Sequence, residues 1–209
     1  MCSVVKLGGS LQHDALLPAW LELLASRGGR VVVVPGGGRF ADAARAAQAH
    51  WQFSDLAAHD MAVLGMAQMA TLMHGLAPAL ALAESEPRLV ELLARGEPAL
   101  WRPLDLLRAE ADDSTHWGVT SDSLALALAV RLRAARLLVV KSCTIEPGRT
   151  LDELSEAGVL DAEFAARARA APGLAIDVLH KSELPRAKAL LRQAPRAEPG
   201  VNATPAPRG

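Results

Sequence analysis

The sequence predicts an α/β fold, a three-layer α/β/α sandwich around a mainly parallel central sheet. Three observations predict it. Strand-like and helix-period segments alternate, with Gly-rich turns at the strand ends. Val31-Val32-Val33-Val34 has the unbroken apolar character of a central parallel strand. Hydrophobic residues, dominated by Ala and Leu, make up 51% of the 209 residues, which favours a helix-rich α/β protein over an all-β one.

Each element follows from its local pattern. Val4-Val5-Lys6-Leu7 reads as a short buried strand ending in Gly8-Gly9. Residues 16–26 have helical periodicity, and Gly28-Gly29 stops it. Residues 30–34 form the second strand, followed by Pro35-Gly36-Gly37-Gly38 and a helix over residues 39–50. A strand–helix–strand unit of this kind indicates a right-handed crossover in a parallel sheet. Residues 55–83 are Ala-, Met- and Leu-rich and free of Pro until Pro78, so they are expected to be helical. Residues 88–95 read as a short helix, 98–102 as a strand and 104–108 as helical. Ser121 and Asp122 open a strong helix over residues 121–132. Strands are expected over 136–141 and 174–178, and a last helix over 183–192. One domain is expected over residues 1–193, with a disordered tail rich in Pro and Ala over 194–209.

Composition removes several classes of function. A net charge of -1, with 3% aromatics and no Tyr, argues against a nucleic-acid binder. Cys2 and Cys143 supply neither a disulfide framework nor a four-ligand zinc site, and are expected to be reduced thiols. No apolar run is long enough to span a bilayer, and the chain runs into a strand too early for a signal peptide. A cytoplasmic protein without membrane contact is expected.

Three segments converge if the sheet is parallel, because loops at the carboxyl ends of its strands share one edge. In Lys6-Leu7-Gly8-Gly9-Ser10, an ammonium sits beside backbone N–H groups able to cradle phosphate oxygens. An ordinary strand-to-helix turn with a snorkelling Lys fits the same residues. Gly36, Gly37 and Gly38, followed by Arg39, let a ligand approach the backbone closely. This segment also matches a dinucleotide fingerprint, but that reading needs a strand ending in an acid near residues 55–69, which look helical. In Trp117-Gly118-Val119-Thr120-Ser121-Asp122, Thr120 or Ser121 fits a helix cap, and Asp122 fits either a dipole-favoured carboxylate or a site residue.

Together the three segments resemble the amino acid kinase superfamily, which includes aspartate, acetylglutamate, uridylate and isopentenyl phosphate kinases. The phrases at residues 35–42, Ala58-His59-Asp60-Met61-Ala62 and residues 117–125 are similar to the aspartokinase-like small kinases of methanogens and methylotrophs. That subgroup includes the methanofuran-pathway aminomethylfuranylmethyl phosphate kinase. The resemblance implies ATP and Mg²⁺ as cofactors, a small-molecule phosphate or carboxylate as acceptor, and a homo-oligomer. It implies Lys6 and Asp122 as catalytic. Lys6, Gly8, Gly9, Ser10, Lys141 and Ser142 would lie on the donor, and Gly36, Gly37, Gly38, Arg39, His59, Thr120 and Ser121 on the acceptor. No protein-held metal is expected, since Mg²⁺ would ride on the donor phosphates.

The chain departs from the superfamily at Lys141-Ser142-Cys143-Thr144-Ile145, where many members carry Thr-Asp and a Gly-Val-Tyr turn. Lys141 fits a second cation for the phosphates or a surface lysine. Two alternatives follow: a catalytically degenerate nucleotide- or anion-binding protein of the same fold, and a nicotinamide-dependent oxidoreductase resting on the fingerprint match alone.

Overall fold

Short apolar runs with little local structure of their own become strands because each finds a partner strand, the four inner ones on both sides. The computed structural model describes residues 2–107, 110, 112 and 115–193. The strands are β1 (Ser3–Leu7), β2 (Val31–Pro35), β3 (Ala81–Ala83), β4 (Ala99–Trp101), β5 (Arg136–Lys141) and β6 (Ala175–His180). They lie in the order β3-β4-β2-β1-β5-β6, with every neighbouring pair parallel. The helices are α1 (Leu17–Ala25), α2 (Gly38–Trp51), α3 (Asp55–Leu76), α4 (Glu86–Ala94), α5 (Ser121–Arg131), α6 (Leu151–Glu156), α7 (Phe164–Arg169) and α8 (Leu184–Leu190).

Strand side chains alternate between the two faces, so the sheet divides the interior into two cores. Val5, Leu7, Val31 and Val33 pack with Trp20 and Leu24 of α1, Met69 and Met73 of α3 and Ala187 of α8. Val4, Val32, Leu137 and Val139 pack with Leu89 of α4, Leu126 of α5 and Phe164 of α7. This is the expected three-layer sandwich. Among the described residues, no helix is long and apolar enough to cross a membrane.

The strand order also places the site. β1 has β2 on one side and β5 on the other. The loops leaving these three strands therefore meet at one sheet edge, where ligands bind in open α/β sheets.

Several expectations need correction. The helix expected over 55–83 ends at Leu76, and Ala81–Ala83 pairs in parallel with β4 as an edge strand. Pro78 prevents the helix from continuing, and the buried Leu80 ties the turn to the core. Residues 104–108 yield only a single 3-10 turn, Leu104–Leu106, and Arg108 lies outside the described residues. The helices α6 and α7 were not expected. The tail over 194–209 also lies outside the described residues.

Candidate active site

Strand alternation puts Lys6 on the same face of β1 as Val4, and Lys141 on the same face of β5 as Val139. Val4 and Val139 belong to the core beneath α5, and Asp122 is the second residue of that helix. The three side chains meet there. Lys6 Nζ lies 2.6 Å from Asp122 Oδ1, and Lys141 Nζ donates to Oδ2 at 2.5 Å. The Lys6 contact is an ion pair without the angles of a hydrogen bond.

Burial sets the electrostatics. The Asp122 side chain is 1% exposed, that of Lys6 5% and that of Lys141 15%. Burial alone would push the Asp122 carboxyl up, but the two ammonium groups outweigh it and hold the carboxyl below its ordinary value. Burial pushes the Lys6 ammonium below its ordinary value; Asp122 opposes this and Lys141 reinforces it. One carboxylate between two ammonium groups leaves the site net positive.

Two Gly loops lie against each other above this triad. A Cβ on Gly9 would stand 2.2 Å from Gly38 N, and one on Gly36 would stand 2.4 Å from Gly9 N. Only glycine permits that backbone contact. Gly36 N–H donates to Leu7 O at 2.8 Å and Gly8 N–H to Val140 O at 2.9 Å, which lock each loop to the neighbouring strand. Gly9 and Ser10 open a 3-10 turn and Gly38 opens α2, so their first N–H groups have no intrahelical acceptor. Arg39 N–H donates to Gln12 Oε1 at 3.1 Å, and Ser10 and Ser142 share a hydroxyl hydrogen bond of 2.5 Å.

A cleft of about 600 Å³ opens beside the loops. Of the expected residues, Gly9, Ser10, Gly37, Gly38, Arg39 and His59 line it, as do Thr120, Ser121 and Lys141. Lys6, Gly8, Gly36, Asp122 and Ser142 do not line it. Val63, Met66, Val119 and Leu124 add apolar lining. At the mouth the Arg45 guanidinium lies 4.4 Å from the Trp117 ring centroid and pairs with Asp42 at 3.2 Å, while Trp117 Nε1 donates to Gln48 Oε1 at 2.5 Å.

The sequence reading missed Asp42, Arg45 and Trp117 as cleft residues, although Asp42 and Arg45 sit at i,i+3 spacing on the helix behind the Gly loop. It also missed Asp161. Asp161 Oδ2 accepts from Thr120 N–H at 2.9 Å, Thr120 Oγ1 at 3.0 Å and Ser123 N–H at 2.9 Å. Its Oδ1 accepts from Ser123 Oγ at 2.5 Å. The region that a dinucleotide fold would need as a second strand with an acidic end is the helix α3. Among the described residues, no group of three or more His, Cys, Asp or Glu side chains could hold a metal ion.

Comparison with known proteins follows this geometry. A sequence model described as the amino acid kinase family matches residues 1–143. The [5-(aminomethyl)furan-3-yl]methyl phosphate kinase of Methanocaldococcus jannaschii is 26% identical over 141 residues, 65% of this chain. The match spans 63% of that relative's length. Among solved structures, uridylate kinase from Archaeoglobus fulgidus superposes with a TM-score of 0.68 at 16% identity, covering 93% of this chain and 97% of that one. Isopentenyl phosphate kinase from T. acidophilum, a product complex, gives 0.62 at 8% identity with the same coverage. At these identities the likeness is one of fold.

Proposed function

The chain belongs to the amino acid kinase family, and from that premise we propose that it is an ATP- and Mg²⁺-dependent small-molecule kinase. It would transfer the γ-phosphoryl group to a phosphate or carboxylate. The observation that carries this reading is the Asp122 carboxylate held between Lys6 and Lys141 under two touching Gly loops.

Phosphoryl transfer needs in-line positioning and compensation of charge on the equatorial oxygens, with little covalent help from protein. The site has groups suited to both. The N–H groups opening the 3-10 turn and α2 belong to residues that line the cleft, where they would donate to the transferred group. Lys141 reaches the cleft wall and Lys6 lies behind it, so the two ammonium groups oppose phosphate charge from different depths. Asp122 has both oxygens on ammonium groups, so its role is to hold the lysines rather than to accept a proton. A phosphate acceptor is already ionised and needs no base. Mg²⁺ would neutralise donor phosphate charge; with Asp122 committed to the lysines, it would be carried on the phosphates themselves.

The cleft supports an acceptor with an anionic end and a small apolar or planar body. Arg39, Arg45 and Lys141 outnumber the Asp42 carboxylate, and apolar side chains share the lining. An aminomethylfuran phosphate has this shape, with an amine for Asp42, and we extend the proposal to that acceptor in methanofuran-type cofactor biosynthesis. Exposed Met61 and Leu64 on α3 support a homo-oligomer packed through that helix.

The test is MgATP turnover over a panel of small phosphates, carboxylates and amines that includes the aminomethylfuran phosphate, run beside Lys6→Ala. Acceptor-dependent ADP release that falls about a hundredfold or more in the variant is expected. ATP binding without turnover on any acceptor would favour a binding protein of the same fold. No ATP binding would remove the kinase reading.

A further inference from the structure

We infer that Asp161 is a positioning residue for phosphoryl transfer: it locks the turn over residues 120–123 and thereby aims Asp122 at Lys6 and Lys141. The inference rests on the kinase reading, but the structural part stands by itself. The first N–H groups of a helix need acceptors from outside the helix. Thr120, the residue that caps α5, reaches only Asp122 N–H, at 3.4 Å. Asp161 takes the Ser123 N–H that a cap would ordinarily satisfy, and it also takes the Thr120 N–H and both hydroxyls. Four donors on one carboxylate fix the backbone on both sides of Asp122.

The carboxylate is held as firmly as what it holds. Asp161 is 8% exposed, and its neighbours Leu160 and Phe164 are buried in the core beneath α5. Glu163 N–H donates to Gly118 O at 3.3 Å, a second tie to the same loop. A negative charge at the start of α5 also suits the helix dipole. Asp161 does not line the cleft, so it touches no ligand there and acts through the residues it orders and through its charge on Lys6. It lies beyond residue 143, where the family match ends.

The experiment compares Asp161→Ala with Leu160→Ala, a neighbouring core truncation that leaves the carboxylate in place. Lysine ¹³Cε NMR titration reads the triad without any substrate, and only four lysines need assignment. The charged groups acting on Lys6 are Asp122, Lys141 and Asp161. Asp161→Ala removes its own charge from Lys6 as well as displacing Asp122, so Lys6 should titrate at lower pH in Asp161→Ala by more than the same substitution lowers it in an Asp122→Asn background, and unchanged in Leu160→Ala. With MgATP and [5-(aminomethyl)furan-3-yl]methyl phosphate, kcat should fall at least about tenfold further in Asp161→Ala than in Leu160→Ala, with KM for MgATP within about threefold of the wild type. Asp161→Asn, which keeps the shape and one acceptor, replaces the Ala variant if that one does not fold, with shifts in the same direction. A Lys6 shift no larger than the one in the Asp122→Asn background, or a kcat no lower than that of Leu160→Ala, would overturn the inference. A wild type inert on that acceptor would count against the proposed acceptor, and the titration would still decide the role of Asp161.

Discussion

Removing the Asp122 carboxylate leaves two ammonium groups facing each other, one of them buried. Asp122→Ala therefore tests the triad most directly. Lys141 is 15% exposed and can turn toward the cleft, so the penalty falls mainly on Lys6. Breaking a buried ion pair from one side costs about 3–5 kcal/mol. A second route gives the same scale. Neutralising a lysine of ordinary pKa 10.5 at pH 7 costs about 4.8 kcal/mol, at about 1.36 kcal/mol per pH unit. For a chain of this size, the loss lowers the melting temperature by about 6–20 °C. The sign with pH is fixed. The unfolded variant keeps the lysine proton that the folded variant has lost, so its stability recovers by about 1.4 kcal/mol per unit as pH rises. Urea melts at pH 7 and pH 9, with Lys6→Met/Asp122→Ala as partner, read both effects. A loss below about 1 kcal/mol, or a double variant no more stable than Asp122→Ala, would refute the claim that Asp122 holds a buried charge.

Three other outcomes follow from the same geometry. Gly9→Ala puts a methyl 2.2 Å from a backbone nitrogen, so it should cost at least about 1–3 kcal/mol in thermal melts and weaken MgATP binding; a wild-type melt would mean that the loops do not touch. Trp117→Ala removes the ring under Arg45, worth about 1–2 kcal/mol, and should raise KM for a ring-bearing acceptor about 5–30-fold with KM for MgATP unmoved. Equal changes in both constants would remove Trp117 from acceptor binding. Because the folded Asp122 carboxyl sits below its ordinary value of 3.8, its stabilising contribution is complete above that pH and is lost as pH falls through the folded value. Acid melts of Asp122→Asn should therefore fall less steeply than those of the wild type; parallel curves would contradict the pairing.

Much of the architecture was readable because the residues announce it locally. β2 is four valines, and α5 begins with its own polar cap. β3 was not readable, because Ala81-Leu82-Ala83 is a strand only by pairing with β4. α6 was missed despite a signal: Thr150 and Glu153 form a capping box in the structure, and their spacing stands in the sequence. Lys6, Asp122 and Lys141 were legible as candidates. Which lysine faces the cleft was not, since depth depends on the layers packed over the strand. The glycines were read as ligand loops; the loop-on-loop contact is a further reason for them, visible only in three dimensions. Asp161 was out of reach, with partners 38 and 41 residues away.

The central position of β1 has a consequence for synthesis. β1 pairs with β5, with Ser3 opposite Arg136, so one edge of it has no native neighbour until residue 136 has been made. Throughout that interval Val4 and Val5 are an apolar edge open to wrong partners. The contacts of Lys6 and Lys141 with Asp122 likewise form late, because the shared carboxylate and β5 lie more than a hundred residues after β1. A nascent chain stalled before residue 136 would carry every glycine of the two loops and no assembled triad.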